Sequence, residues 1–192
     1  MKRGNLFILS GPAGVGKGTL RKILFREVDG LAYSVSCTTR EMRPGETEGR
    51  DYHYISRGEF DEMADRGEFL EWAEVHHDCY GTRKSEVERA LGEGRDIVLE
   101  IDVKGCRRIK DIMSGAIRIF IMPPSLDDLE DRLEERGTET PEQINVRLRN
   151  AAVEMRQAAE YDHVIVNDDV ECASRELVEI IKSYGRAWRR CK

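Results

Sequence analysis

The chain has 192 residues, 35% charged and 40% apolar, which suits one soluble domain with a sizeable core and excludes a disordered chain. A formal net charge of −6 gives no bulk attraction to nucleic acid or an anionic membrane, so an anionic ligand must be held by local clusters of Arg and Lys. The cysteines Cys37, Cys79, Cys106, Cys172 and Cys191 form no close pair and read as free thiols, not as a zinc site or disulfide framework. After Met1-Lys2-Arg3 the first apolar run is too short for a signal peptide, and nothing approaches a membrane span, so the expected location is the cytoplasm.

Leu6 to Leu9 is a continuous apolar run that predicts a buried strand, and the turn GPAGVGKGT follows at once. That turn opens into a predicted helix, Lys17 to Glu27, with Leu20, Ile23, Leu24 and Val28 on one face. Gly11, Gly16 and Lys17 fit the pattern G-x-x-x-x-G-K, but Gly18 stands where the strict pattern has Ser or Thr, and Thr19 follows. In this setting the glycines let backbone N–H groups converge on phosphate oxygens, and the helix dipole adds positive charge there. Lys17 would reach the terminal phosphates. A ligand-free glycine turn is the weaker reading.

A second apolar run, Leu31 to Cys37, predicts another strand and leads into the polar stretch CTTREMRPGETEGRD. Tyr52 to Ile55 reads as a short strand, and Ser56 with Glu59 as a capping box for a helix ending before Gly67. Phe69 to Val75 is extended, a loop carries His76 to Thr82, and Ser85 with Glu88 predicts a second capping box. Asp96 to Ile101 is a buried strand with Glu100 and Asp102 at its end, followed by a helix over Lys104 to Met113. The strand Ile117 to Met122 stops at Pro123-Pro124, and Ser125 caps a charged helix running to Arg136. Thr140, Pro141 and Gln143 supply cap, first-turn proline and capping-box partner for a helix to about Glu160. His163 to Val166 is a last strand before Asn167-Asp168-Asp169, and a terminal helix carries Leu177, Val178, Ile180, Ile181 and Tyr184. The final AWRRCK is expected to be a frayed, solvated end.

Alternating strands and helices predict an α/β fold with a parallel sheet covered on both faces. The stretch from about Tyr33 to Arg89, with short strands and turns, reads as an inserted lobe. Ligands in such sheets sit beyond the carboxyl ends of the strands, so the glycine loop, Glu100, Asp102, Pro123-Pro124 and Asn167-Asp168 are expected to line one cleft.

Three clusters carry chemistry. Arg40 and Arg43, with Tyr52 downstream, could clamp a phosphate bidentately, although a solvated basic loop is the commoner outcome of such composition. Glu71 could accept both donors of a guanine edge, N1–H and N2–H₂, with the Ser36 and Thr82 hydroxyls at neighbouring atoms. On spacing alone Glu71 is more often a surface glutamate. Arg132, Arg136 and Arg147 could surround phosphoryl oxygens from a helical lid, or pair with Asp128, Glu134 and Glu135 on the surface. His76-His77 with Cys79 makes a poor metal site, because adjacent residues of an extended chain point apart.

Together GPAGVGKGT, SVSCTTREMRPGE-x₃-GRDYHY, EFLEWAEV-x₄-YGT, LEIDVKG, PPS, RLEERGTET and VIVNDD closely resemble guanylate kinase, from about Leu6 to Val170. The resemblance implies a P-loop fold: a three-layer α/β/α parallel-sheet core (about 1–33, 90–125 and 160–192), a GMP-binding lobe (about 34–89) and a lid (about 126–159). It implies that ATP phosphorylates GMP, and dGMP as well, in purine nucleotide metabolism, with Mg²⁺ required. Matching positions place Ser36, Glu71, Thr82 and Asp102 at guanine, and Arg40, Arg43, Tyr52 and Tyr80 at the GMP phosphate. Gly11, Pro12, Ala13, Gly14, Val15, Gly16, Lys17, Gly18 and Thr19 match the ATP phosphate cradle. Arg132, Arg136 and Arg147 match lid arginines that act with Lys17 and Arg40 in catalysis, and Asn167 and Asp168 match the adenine side. Gly18 leaves the metal hydroxyl ligand open between Thr19 and water. Glu100 stands where an aspartate is common, and its role near Lys17, the metal or the substrate stays open. Two competing readings are a catalytically silent interaction domain of the same fold and a kinase for another phosphorylated acceptor.

Overall fold

The computed structural model describes residues 3–75, 77–137 and 139–189, with side chains to 185. His76, Cys191 and the last residues of the expected frayed end lie outside the described residues. Strands β2 (Ala32–Tyr33), β7 (Ile97–Glu100), β1 (Leu6–Ser10), β8 (Ile117–Met122) and β9 (His163–Val166) stand in that order in a five-stranded sheet, and β4 (His53–Tyr54), β3 (Cys37–Thr38), β6 (Asp78–Arg83) and β5 (Phe69–Val75) form a four-stranded one. The helices are α1 (Lys17–Glu27), α2 (Arg57–Asp65), α3 (Lys84–Gly92), α4 (Val103–Ile112), α5 (Leu126–Arg136), α6 (Pro141–Met155) and α7 (Val170–Arg189). None of them is long and apolar enough to cross a membrane. The chain divides into two compact units.

One unit holds residues 7–31, 100–103 and 117–192. β1 pairs in parallel with β8, Phe7 opposite Ile117, and β8 with β9, Ile119 opposite His163. Phe7, Ile8, Leu9, Ile119, Phe120 and Ile121 are all fully buried, as unbroken apolar runs must be in a parallel sheet covered on both sides. α1 buries Leu20 and Leu24 and packs against α7, whose Tyr184 meets Phe7 edge-on and hydrogen-bonds the His163 ring at 2.9 Å. α5 and α6 share a small core of Leu129, Leu133, Ile144 and Ala151. Their starts follow local chemistry: Ser125 accepts from the Asp128 N–H, and Thr140 and Gln143 form a complete capping box with Pro141 in the first turn. α6 stops at Met155, short of the expected Glu160, and a 3₁₀ turn covers Ala158–Glu160.

The other unit holds residues 1–6, 32–99 and 104–116. Here β2 pairs in parallel with β7, Ala32 opposite Ile97. The expected strand Leu31 to Cys37 is in fact two: β2 ends after Tyr33, and β3 begins at Cys37 in the four-stranded sheet. β3 lies parallel to β4 and antiparallel to β6, and Cys37, Phe60, Phe69 and Cys79 pack into the core of this sheet. Of the loop expected from His76 to Thr82, Asp78 to Thr82 is instead part of β6, antiparallel to β5 with Val75 opposite Asp78, and His77 has φ 74. Ser56 caps α2 as expected. Ser85 does not cap α3: Arg83 is the cap residue without a side-chain bond, and Lys84 N–H donates to the Glu68 carbonyl at 2.9 Å, a tertiary partner that replaces a local cap.

Candidate active site

In the first unit the glycine loop joins β1 to α1, as its sequence requires. Gly11 and Gly16 have φ of 142° and 94°, and a Cβ on either would press into Ile121 O at 2.1 Å or Asn167 Nδ2 at 2.5 Å. Only glycine fits there. Pro12 and Val15 are buried, Ala13 is exposed, and Gly14 is half-buried. Lys17 turns its ammonium back over the loop, donating to Gly11 O at 2.7 Å and Pro12 O at 2.9 Å. Burial pushes its pKa below the ordinary lysine value, while the charges of Glu100, Glu154 and Asp102 pull it up. A cation is thus held at the mouth of a backbone anion cradle.

Carboxylates stand beside this cradle. Glu100 pairs with Arg21 at 3.1 Å, and Asp102 follows half-buried after β7. Gly18 is helical with ordinary φ, and a Cβ there would meet only Glu100 Oε1, at 3.8 Å. Thr19 is exposed on the first turn of α1. Among the described residues no group of three or more His, Cys, Asp or Glu could hold a metal by itself. The set fits a divalent ion of the kind that arrives on substrate phosphates, keeps most of its waters and touches one or two oxygen side chains.

The arginines of this unit differ in state. Arg132, on α5, donates to the Asn167 carbonyl at 2.9 Å rather than to Asp128, Glu134 or Glu135. Arg136 is exposed in the last turn of α5. Arg147 pairs at 3.1 Å with Glu139, whose side chain is only 3% exposed. Asn167 is buried and its side-chain amide donates to Val15 O at 2.7 Å, while Asp168 is exposed. Sequence patterns gave no sign of Arg21, Glu139 or Glu154.

The second unit carries the other candidate residues. Glu71 sits on β5 opposite Thr82 on β6, both buried, and the Thr82 hydroxyl donates to Glu71 Oε1 at 2.7 Å. Ser36 is buried just before β3, its carbonyl accepting from His53 N–H at 2.9 Å. A buried glutamate that accepts from a buried hydroxyl is a preformed hydrogen-bonding site, unlike the surface residue that spacing alone favours.

Arg40 is clamped by Glu46, Nη2 lying 2.8 and 3.0 Å from the two carboxylate oxygens, and Nη1 donates to Glu41 O. Its guanidinium lies 5.4 Å from the Tyr52 ring centre and 6.0 Å from that of Tyr54. Tyr52 meets Tyr54 and Tyr80 edge-on. Burial would lower the Arg40 pKa, but the Glu46 bond and the neighbouring Tyr80 raise it further. Glu46 also accepts from Arg43 N–H at 2.8 Å and the Tyr54 hydroxyl at 2.7 Å. Against partial burial, these bonds hold its carboxyl at about 2. Glu46 and Tyr54 were missed from sequence; the tight turn in which Glu46 N–H bonds Arg43 O was the available signal.

A glycine loop between strand and helix, a lysine over it, and a parallel sheet define a P-loop protein of the α/β class. The guanylate kinase family model matches residues 3–184. A guanylate kinase of Symbiobacterium thermophilum is 45% identical over 93% of this chain and 85% of its own. One from Thermotoga maritima is 44% identical over 94% and 87%. The crystal structure of guanylate kinase from Anaplasma phagocytophilum superposes with a TM-score of 0.80 at 33% identity, covering 95% of this chain and 87% of that one. Shikimate kinase from Bacteroides thetaiotaomicron shares the fold alone, at TM-score 0.51 and 16% identity over 93% of this chain and 98% of that one. The chain belongs to the guanylate kinase family.

Proposed function

We propose that this chain transfers the γ-phosphoryl group of ATP to a phosphate oxygen of GMP, or of dGMP, giving ADP and the nucleoside diphosphate. The observation that carries the acceptor choice is the buried Glu71–Thr82 pair. Glu71 can take both donors of a guanine edge, whereas adenine presents an acceptor that the carboxylate would repel. Ser36 and Asp102 complete the base contacts, and Arg40, Arg43, Tyr52 and Tyr80 hold the acceptor phosphate.

No general base is needed, because the attacking oxygen is already anionic near neutral pH. Rate comes from positioning and charge neutralisation. Residues 11–19 cradle the donor phosphates and Lys17 meets the terminal ones. Arg132, Arg136 and Arg147 add positive charge where the transition state spreads its negative charge. Mg²⁺ carried with ATP would draw charge from the phosphate oxygens, with Thr19 and Glu100 the residues that would hold it or its waters. In this reading residues 34–89 form the acceptor lobe, 126–159 the lid and the rest the core, and the enzyme works in the cytoplasm.

An ATP-coupled assay over a panel of nucleoside monophosphates tests the proposal. GMP and dGMP should exceed AMP, CMP and dTMP by orders of magnitude. A flat or empty panel would overturn it in favour of another acceptor or a silent domain.

A further inference from the structure

Asn167 follows β9, and its backbone N–H donates to Met122 O at 2.8 Å, continuing the parallel ladder by one bond. Its side chain, 5% exposed, runs under the glycine loop and donates Nδ2–H to the Val15 carbonyl at 2.7 Å. The fit is close, since a Cβ on the neighbouring Gly16 would fall 2.5 Å from that same nitrogen. From the other side Arg132 of α5 grips the Asn167 carbonyl at 2.9 Å. Asn167 is therefore fixed by strand and helix, and its amide is committed to the loop.

A trans peptide unit is planar, with its C=O and N–H pointing in opposite directions. Pinning the Val15 carbonyl onto Asn167 therefore turns the Gly16 N–H away from Asn167, at the residue that immediately precedes α1. Gly16 is the last glycine before Lys17, where N–H groups must converge if polyphosphate is to bind. The loop's glycines cannot set this plane themselves, because glycine has the widest conformational choice of any residue.

We propose that Asn167 is a positioning residue for phosphate binding: it fixes the Val15–Gly16 peptide plane and so preorganises the loop for the polyphosphate of the donor. This rests on reading residues 11–19 as the donor phosphate cradle, and it gives the Asn167 side chain a role in holding phosphate in place of one in reading the base.

Calorimetric titration separates the two roles, with inorganic tripolyphosphate as a ligand that has no base. Wild type, Asn167→Ala and Asn167→Asp are titrated with tripolyphosphate, a non-hydrolysable ATP analogue and GMP, and each is checked for a cooperative thermal melt. The aspartate keeps size and shape but cannot donate when ionised, so it serves if the alanine variant does not fold. Both variants should weaken tripolyphosphate and the ATP analogue by the same factor, about tenfold, with GMP affinity unchanged. The aspartate variant should recover part of the loss as pH falls and its carboxyl becomes a donor again. Unchanged tripolyphosphate affinity with weakened ATP analogue would overturn the proposal and assign the side chain to adenine. Equal loss for all three ligands would overturn it in favour of general packing. If wild type binds neither tripolyphosphate nor the ATP analogue, the donor-cradle reading itself fails.

Discussion

Glu71 and Thr82 face each other across an antiparallel strand pair, both buried, joined by a 2.7 Å hydrogen bond from hydroxyl to carboxylate. A carboxylate oxygen carries two lone pairs, so one hydroxyl bond does not exhaust what the group can accept. Replacing Glu71 with Gln preserves volume but puts an amide N–H where guanine also presents donors. kcat/KM for GMP should fall roughly 10- to 100-fold, as expected for loss of a charged hydrogen bond, and the preference over AMP should narrow. Steady-state kinetics with both nucleotides check this; an unaltered GMP-to-AMP ratio would remove Glu71 from base recognition.

Lys17 is held over the loop by the Gly11 and Pro12 carbonyls, so its charge is fixed before any phosphate arrives. Lys17→Met should lower kcat by about 10²–10³-fold and leave GMP binding almost untouched. Single-turnover rates together with GMP titration distinguish this from a general loss of structure.

Glu46 has a carboxyl held at about 2 against an ordinary value of 4.5. A depressed acid stabilises the fold fully above its unfolded pKa and loses that contribution as pH falls towards its folded pKa. The stability gap between wild type and Glu46→Gln should therefore be constant above about pH 5 and shrink between about pH 4.5 and 2. Urea unfolding across that range measures it. At neutral pH the same variant should raise KM for GMP, because Arg40 and Tyr54 lose their common anchor.

Two glycines of the loop should respond in opposite ways. Gly16→Ala places a Cβ against Asn167 in a left-handed conformation and should cost at least about 1–2 kcal/mol, along with ATP affinity. Gly18→Ser enters a helical position with open space before Glu100, and should change stability by no more than about 0.5 kcal/mol. Thermal melts decide both. The serine variant also supplies a hydroxyl at position 18, where the strict pattern has one, so Mn²⁺ titration by paramagnetic resonance in the presence of ATP should show tighter ion binding than in wild type.

Much of the frame was written locally. β8 and β9 lie where short runs rich in Ile and Val put them, and Ser125, Thr140, Pro141 and Gln143 mark their helix starts because capping is chemistry between close neighbours. Features set by distant partners were not legible. The antiparallel pairing of β5 with β6 has no Asn-Gly or Asp-Gly between its strands, so nothing local announces it. α3 starts without a side-chain cap because Glu68 supplies a carbonyl. In the candidate sites, residue types marked Lys17, Arg40 and Glu71, but burial of Glu71 and the anchoring of Arg40 by Glu46 arise only from folding. Asn167 is visible as a polar residue after a strand; the direction of its amide is not.

Arg147 and Glu139 bear on how mutant kinetics are read. Glu139 is almost wholly enclosed, and its carboxylate lies 3.1 Å from the Arg147 guanidinium. Removing one member of a buried pair costs about 3–5 kcal/mol, whereas removing both can be nearly neutral. A dead Arg147→Met enzyme would therefore not by itself identify a catalytic arginine, since misfolding of this helix pair produces the same silence. The double variant Arg147→Met, Glu139→Gln restores neutrality, and whatever turnover it still lacks is the part that belongs to chemistry.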